Sequence, residues 1–178
     1  MARRETVARR YADAAFEIGR ADGTLDVWER DLVVLRATLG NEELRRLVEH
    51  PAIPFADKER VLRRVVEGVS PEPLNLALLM IRRGRPGAID AMVERFAELV
   101  RRERGVSLAE VRTARPLEDD QRDAISDRLR TLTGDRIEMR EVVDDTLIGG
   151  VSVRIGDRLY DASVRSRLER LRARLTAV

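Results

Sequence analysis

The spacing of apolar residues first departs from a helical period at Gly105, and this change constrains the fold more than any other feature. Before Gly105, apolar residues recur at intervals of three and four, as in Leu25, Trp28 and Leu32, which is the period of a helix with one buried face. After it, residues 106–113 alternate between two sets of side chains, which is the period of a strand. The sequence therefore predicts an α+β fold, with helices first and a sheet afterwards.

The two predicted domains differ in content. Residues 1–105 contain six helical segments and are predicted to form a six-helix bundle. Residues 106–178 follow the order strand, helix, strand, strand, helix, and are predicted to form a small α/β domain with a short sheet and two helices. The fifth helix, around residues 74–81, is apolar on nearly every side, which is typical of a helix enclosed by others. The third predicted strand spans residues 147–155.

The composition excludes several classes of enzyme site. The chain has 178 residues, no cysteine and a single histidine, His50. Disulfides, thiolate catalysis and cysteine-based zinc sites are therefore excluded, and one histidine cannot form a cluster. No apolar run is long enough to span a bilayer. We expect no catalytic residue, no metal and no cofactor, and a protein that meets a membrane only through a partner.

Charge is nearly balanced over the whole chain but not over its last predicted helix. The 34 basic and 32 acidic residues give a formal net charge of +2, so no strong overall field attracts nucleic acid or lipid. The last helix carries one acid, Glu169, against five arginines: Arg165, Arg167, Arg170, Arg172 and Arg174. A basic helix of this kind can bind nucleic acid, an anionic membrane or an acidic partner helix, or it can present a solvated face. Aromatic residues make up only 3% of the chain, which weakens the nucleic-acid alternative.

The same helix is predicted to be amphipathic. Its apolar residues follow a four-three-four spacing: Val164, Leu168, Leu171 and Leu175. We expect this stripe to pack on the small sheet, which would leave the arginines to contact a partner.

Two adjacent glycines, Gly149 and Gly150, lie inside the third predicted strand. Glycine weakens a strand interior, so the pair indicates a bulge, a bend or the close approach of another backbone, and we favour a structural kink. A phosphate loop would need lysine followed by serine or threonine after its last glycine, and Val151 follows here. Further on, Asp161 and Ser163 offer side-chain oxygens that can cap the last helix.

Four segments form a pattern when they are taken together in order: residues 8–16, 75–85, 111–117 and 143–165. In the first segment, the pair Tyr11-Ala12 leads into small residues and Phe16. The last contains the glycine pair and the capping residues. Together the segments resemble the delta subunits of bacterial F-type ATP synthases, whose mitochondrial counterpart is the oligomycin-sensitivity-conferring protein. The chain departs from this family at two turn positions, with Asp145 where proline is frequent and Ala162 where glycine is common.

The resemblance implies a mechanical role and no catalysis. In this family the helical domain grips N-terminal helices of the alpha subunits in the catalytic head, and the second domain holds the b-type subunits of the peripheral stalk. The resemblance therefore implies a stator component, peripheral to the cytoplasmic face of the cell membrane, that lets rotor torque drive proton-coupled ATP synthesis. The alternative that the residues leave open is an arginine-rich RNA-binding module, which would bind RNA with a steep dependence on salt.

Two partner-binding surfaces follow from the resemblance and from helical spacing. Helix-in-groove recognition needs an apolar stripe flanked by small residues. We expect the groove for the alpha helix to lie between the first and fifth helices, lined by Tyr11, Ala14, Ala15, Ile18, Leu76 and Leu79. We expect the five arginines of the last helix to face the stalk.

Overall fold

The structure, a computed structural model, describes the backbone of residues 2–176 and the side chains of residues 5–170, 172 and 173. The side chains of Leu171, Arg174 and Leu175 are outside that set, so the expectations for them lie outside the described residues. The chain divides into two compact units, Met1–Val100 and Arg101–Val178. Helices make up the first unit and the sheet lies in the second, which confirms the predicted α+β class.

Six α-helices and one short 3₁₀ helix, Pro86–Ala88, precede the first strand. The α-helices are α1 (Ala2–Ala21), α2 (Leu25–Leu39), α3 (Glu42–Glu49), α4 (Phe55–Val65), α5 (Pro71–Arg82) and α6 (Ile89–Glu103). Their ends follow local chemistry. The Asn41 side chain accepts from the backbone N–H groups of Glu43 and Leu44 at the start of α3, and His50 ends that helix before a proline.

Aromatic packing joins α1, α2 and α6 at the centre of the first unit. Phe16 meets Phe96 edge-on at 6.5 Å, and Trp28 stacks on Phe96 at 6.2 Å between ring centroids. Trp28 is buried, which confirms its place on the apolar stripe of α2. Helix α2 comes close to α1 because Gly19 lacks a side chain: a Cβ there would lie 3.0 Å from Trp28 Cδ1.

A buried carboxylate fixes the start of α5. Asp31 on α2 is fully buried, and its Oδ2 accepts from the backbone N–H of Ser70 at 2.7 Å. Its Oδ1 accepts from Arg30 Nε at 2.9 Å. Burial alone would raise the pKa of Asp31, but the hydrogen bonds from Ser70 and Arg30 outweigh it and hold the pKa below its usual value. The carboxylate thus supplies an acceptor at the positive end of α5.

The second unit is a four-stranded sheet with two helices. Its elements are β1 (Val106–Thr113), α7 (Asp119–Thr133), β2 (Arg136–Val143), β3 (Val151–Ile155), β4 (Arg158–Asp161) and α8 (Val164–Thr176). The strand order is β2-β1-β3-β4. Strands β1 and β2 are parallel, and the other two pairs are antiparallel. Alternate residues of the strands and one residue of α7 form the buried core: Ala109, Val111, Leu129 and Val153.

The predicted strand over residues 147–155 is too long by four residues at its start, because β3 begins at Val151. The preceding residues form a loop that Asp144 organises. The Asp144 side chain accepts from both the backbone N–H and the hydroxyl of Thr146, and the Leu147 N–H donates to the Asp144 carbonyl at 3.1 Å. These hydrogen bonds hold a turn.

The expectation that the stripe of α8 packs on the sheet is wrong for the two members whose side chains are described. Val164 is 36% exposed and Leu168 is 55% exposed. The small core is completed by α7, whose Leu129 is buried against the strands. Helix α8 therefore leaves these two apolar side chains exposed to solvent.

Candidate partner-binding surfaces

A cavity of about 560 Å³ lies in the first unit, lined by α1, the end of α5 and the turn that follows. Its walls are Val7, Arg10, Tyr11, Ala14, Leu79, Arg83 and Arg85. Three of the six residues expected in the groove for the alpha helix, Tyr11, Ala14 and Leu79, meet here. The cavity size is in the range of protein binding sites.

Helix α1 contributes its wall through residues on a single stripe. Val7, Tyr11 and Ala14 follow a spacing of four and three, which places them on one face. The adjacent face packs inward: Ala8 and Ala12 are buried in the core. The alanines on the inner face let α1 lie close to its neighbouring helices. The outer stripe places the Tyr11 ring and the small Ala14 side chain at the cavity.

Helix α5 contributes its one large exposed apolar side chain. Leu79 is 42% exposed, while Leu78 and Met80 on either side of it are buried. The enclosure expected for α5 is therefore only partial, because Asn75, Leu79 and Arg82, at intervals of four and three, form an exposed face. The hydrogen bond from Ser70 to Asp31 fixes the start of the helix, so the position of Leu79 is set by a buried contact at the other end of α5.

Ala15 does not line the cavity, and its expected contact with a partner is wrong. It is 0% exposed and belongs to the core of the first unit. Successive residues of a helix point about 100° apart, so the neighbour of the outward Ala14 points inward. Helical spacing identifies the outward face of α1, which includes Ala14. Ala15 lies just outside that face, on the side that packs into the core.

The remaining two expected groove residues, Ile18 and Leu76, do not line the cavity. Ile18 is 48% exposed and continues the outer stripe of α1 one turn beyond Ala14. Leu76 is half-buried and packs against the core. Ile18 can therefore extend an apolar contact along α1, whereas Leu76 packs toward the core of the first unit.

Three arginines at the cavity were not expected from the sequence as site residues. Arg10 lies on α1 beside Tyr11, and Arg83 and Arg85 follow the end of α5. Gly84 turns the chain there with φ +68°, and the Arg85 N–H donates to the Met80 carbonyl at 2.8 Å. The signal in the sequence is the run Arg82-Arg83-Gly84-Arg85, in which glycine ends a helix and places basic residues on its rim.

The described arginine side chains of α8 are exposed, and Arg165 and Arg170 also donate hydrogen bonds to backbone carbonyls of the chain. Arg165 donates to the Thr146 carbonyl at 3.3 Å and Arg170 donates to the Ser166 carbonyl at 3.1 Å. Arg167 and Arg172 are exposed as well. Together with Val164 and Leu168, these residues make α8 an amphipathic helix whose apolar stripe is exposed at its two described members.

Asp161 and Ser163 cap α8, as predicted. Asp161 Oδ1 accepts from the Ser163 N–H at 2.9 Å, and its Oδ2 accepts from the Ser166 hydroxyl at 2.5 Å. Ser163 Oγ in turn accepts from the Ser166 N–H at 3.2 Å. The hydrogen bonds from Ser166 and Ser163 lower the pKa of Asp161 to about 2. The carboxylate is therefore charged at neutral pH and favours the positive end of α8.

The glycine pair seats the start of α8 against the loop before β3. Gly150 has φ +81°, and a Cβ there would lie 2.7 Å from the Ala162 carbonyl oxygen and 2.9 Å from Ser163 Cα. The Val164 N–H donates to the Gly149 carbonyl at 3.0 Å. The kink within a strand that we favoured is therefore wrong, and the pair serves the close approach of another backbone.

A second cavity, of about 740 Å³, opens beside this loop. The end of β1, the start of α7 and the glycine pair line it, together with Ile148, which is 68% exposed. The open stripe of α8 and this cavity give the second unit two adjoining apolar features. No group of three or more His, Cys, Asp or Glu side chains in the described part of the chain is placed to hold a metal ion.

Comparison with known proteins decides the family. The family model described as ATP synthase delta (OSCP) subunit matches residues 7–175. This chain belongs to that family. It is 34% identical over 175 residues to ATP synthase subunit delta of Anoxybacillus flavithermus, covering 97% of this chain and 98% of the relative. It is 38% identical over 172 residues to the subunit of the same name in Salinibacter ruber, covering 96% and 90%.

A solved structure supports the same conclusion. A chain in the cryo-EM structure of the Toxoplasma gondii mitochondrial ATP synthase hexamer matches with a TM-score of 0.72 at 26% identity. The match covers 96% of this chain and 98% of that one. Membership of the delta family confirms the resemblance and the predicted function as a stator component of an enzyme complex. The comparisons give no support to the RNA-binding alternative.

The structure of this delta-family chain also bears on its relation to a membrane. Across residues 2–176, none of the helices combines the length and the apolar character that a membrane crossing requires.

Proposed function

We propose that this delta-family subunit joins the catalytic head of ATP synthase to the membrane-anchored peripheral stalk and has no catalytic site of its own. The observation that carries the proposal is the cavity where Tyr11 and Ala14 of α1 meet Leu79 of α5. A rotor that turns inside the head exerts torque on it, so the head needs a fixed joint to the membrane. Two separate binding surfaces on one chain meet that need.

The head contact is assigned to the helical domain, residues 1–105, acting as a six-helix bundle. An N-terminal helix of an alpha subunit fits the cavity because an amphipathic helix presents anchors at intervals of three and four residues to an apolar groove. The small side chain of Ala14 leaves room for the bound helix beside α1, and Leu79 and the Tyr11 ring supply apolar contact. Ile18 continues the contact along α1.

The stalk contact is assigned to the second domain, residues 106–178, and mainly to α8. Its apolar stripe is open at Val164 and Leu168, and exposed apolar residues that form a stripe mark binding surfaces. The helices of b-type stalk subunits can pack on this stripe while the arginines flank the contact. The sequence predicts a stalk contact through the arginines only. We add to it the apolar residues that lie between them.

The location follows from these partners. The subunit is peripheral to the cytoplasmic face of the cell membrane and is held there through the stalk and the head. It binds no cofactor, because its part in ATP synthesis is to transmit force between two partners. Its partners are the alpha subunits and the b-type subunits of the same complex.

Substitution of Ala14 by arginine tests the head contact. The new side chain extends from the α1 wall into the cavity and occupies space that the bound helix needs. We therefore expect affinity for an N-terminal peptide of the alpha subunit to fall roughly 30-fold, the effect of losing one strong anchor. Isothermal titration calorimetry on the full chain measures it. Ala37→Arg on α2 is the matched control, because Ala37 is also an exposed helical alanine and lies off the cavity.

The control should bind the peptide as the unchanged chain does. Circular dichroism of both variants shows whether the helices are intact. Equal affinity of the Ala14→Arg variant and the unchanged chain, with both folded, would rule out this cavity as the site of head binding.

A further inference from the structure

Three guanidinium groups surround the α1–α5 cavity without an acidic partner. Among the residues whose side chains are described, none of the ion pairs involves Arg10, Arg83 or Arg85. Elsewhere in the same unit arginines pair with acids, as Arg36 does with Glu94 at 3.2 Å. The positive charge at the cavity rim is therefore not neutralised by ion pairs among the described side chains.

The lining of the cavity contains no acid to offset this charge. Its seven residues are three arginines and four uncharged side chains. The formal net charge of the whole chain is only +2, so the positive charge at the rim is local. A local patch of one sign steers a partner of opposite sign and discriminates against partners of the same sign.

The arginines lie on both walls of the cavity. Arg10 is on α1, next to Tyr11 of the apolar stripe. Arg83 and Arg85 follow the end of α5, beyond Leu79. A helix that lies in the cavity with its apolar stripe on Tyr11 and Leu79 thus meets guanidinium groups along both borders of that stripe.

We infer that this cavity selects its helix by charge as well as by apolar fit. The occupant is an amphipathic helix whose apolar stripe is bordered by aspartate or glutamate, and the rim arginines pair with those carboxylates. Guanidinium groups suit this task because they stay charged and bind carboxylates with two parallel hydrogen bonds. The inference rests on the proposed head contact and names the chemistry that the contact requires.

Neutralising the rim tests the inference on the full chain. The variant carries Arg10→Gln, Arg83→Gln and Arg85→Gln together, and the probe is the N-terminal peptide of the alpha subunit from the same ATP synthase. In about 20 mM salt, where charges act over longer distances, we expect affinity to fall roughly tenfold, mainly through slower association. At about 0.5 M salt the difference should nearly vanish. Surface plasmon resonance gives both rates.

The matched control neutralises three exposed arginines that do not line the cavity: Arg9, Arg64 and Arg102. It changes the net charge by the same amount, so an equal loss of affinity in the control would overturn the inference. A second peptide, with every Asp and Glu replaced by Asn or Gln, completes a double-variant cycle. It should bind the unchanged chain about tenfold more weakly and should be insensitive to the rim variant.

The outcomes separate the inference from the proposed function. Tight binding of the natural peptide that is unaffected by salt and by the rim variant would overturn charge selection and leave the head contact standing. A natural peptide that does not bind the unchanged chain at any salt concentration would remove the head contact itself. A fall in affinity that is seen only with the rim variant and only at low salt supports both the charge selection and the head contact.

Discussion

At the scale of single residues, Gly150 shows how one missing side chain holds a surface in place. Its backbone has a positive φ, and the start of α8 lies against its Cα. Asp161 and Ser163 then cap the helix that begins there. The orientation of α8, the proposed stalk-binding helix, therefore depends on contacts of Gly150, Asp161 and Ser163, which need not touch the stalk themselves.

Gly150→Ala should destabilise the second unit by about 3 kcal/mol or more, because the added Cβ meets backbone atoms and the conformation is strained. Gly156→Ala is the matched control, since Gly156 also has a positive φ but a Cβ there meets nothing within 4 Å. The control should lose only about 1 kcal/mol. Urea unfolding followed by circular dichroism measures both, and equal losses would contradict the close approach of α8.

The sequence could indicate that the glycine pair is structural but could not give its reason. Gly149 and Gly150 follow one another in an apolar run, which looks like a strand from local pattern alone. What requires glycine is the backbone of Ala162 and Ser163, which is distant in sequence and close only after folding. Ala15 was misplaced for a simpler reason, since the boundary between the outer and inner faces of α1 falls between two neighbouring alanines.

At the scale of elements, the two candidate surfaces are built differently. The cavity of the first unit needs two helices, and its geometry depends on Asp31 holding the start of α5. The stripe of α8 needs one helix only and is open along the part whose side chains are described. Periodicity predicts which face of each helix is apolar. It does not predict whether another element covers that face, which is why the stripe of α8 was expected on the sheet.

Leu168→Glu should abolish binding of the chain to a soluble fragment of the b-type stalk subunits, because it places a charge in the centre of the apolar stripe of α8. Leu132→Glu is the matched control, since Leu132 on α7 is exposed to a similar extent. Sedimentation velocity of the mixtures measures binding. Binding of the Leu168→Glu variant as tight as that of the control would show that α8 is not the stalk contact.

At the scale of the whole molecule, we assign one partner to each compact unit. The first unit offers an apolar cavity with a basic rim, and the second offers an open amphipathic helix beside a second cavity. Each surface is built from residues of its own unit. A stator joint of this kind can hold two partners at once, because neither contact uses the residues of the other.

Sedimentation velocity of a mixture of the head, the stalk fragment and the chain tests whether each unit of the chain binds its own partner. The account predicts a ternary complex with the unchanged chain. It predicts a chain–stalk complex alone with Ala14→Arg, and a chain–head complex alone with Leu168→Glu. A ternary complex that persists with either folded variant, or the loss of both contacts from one of these substitutions, would contradict it.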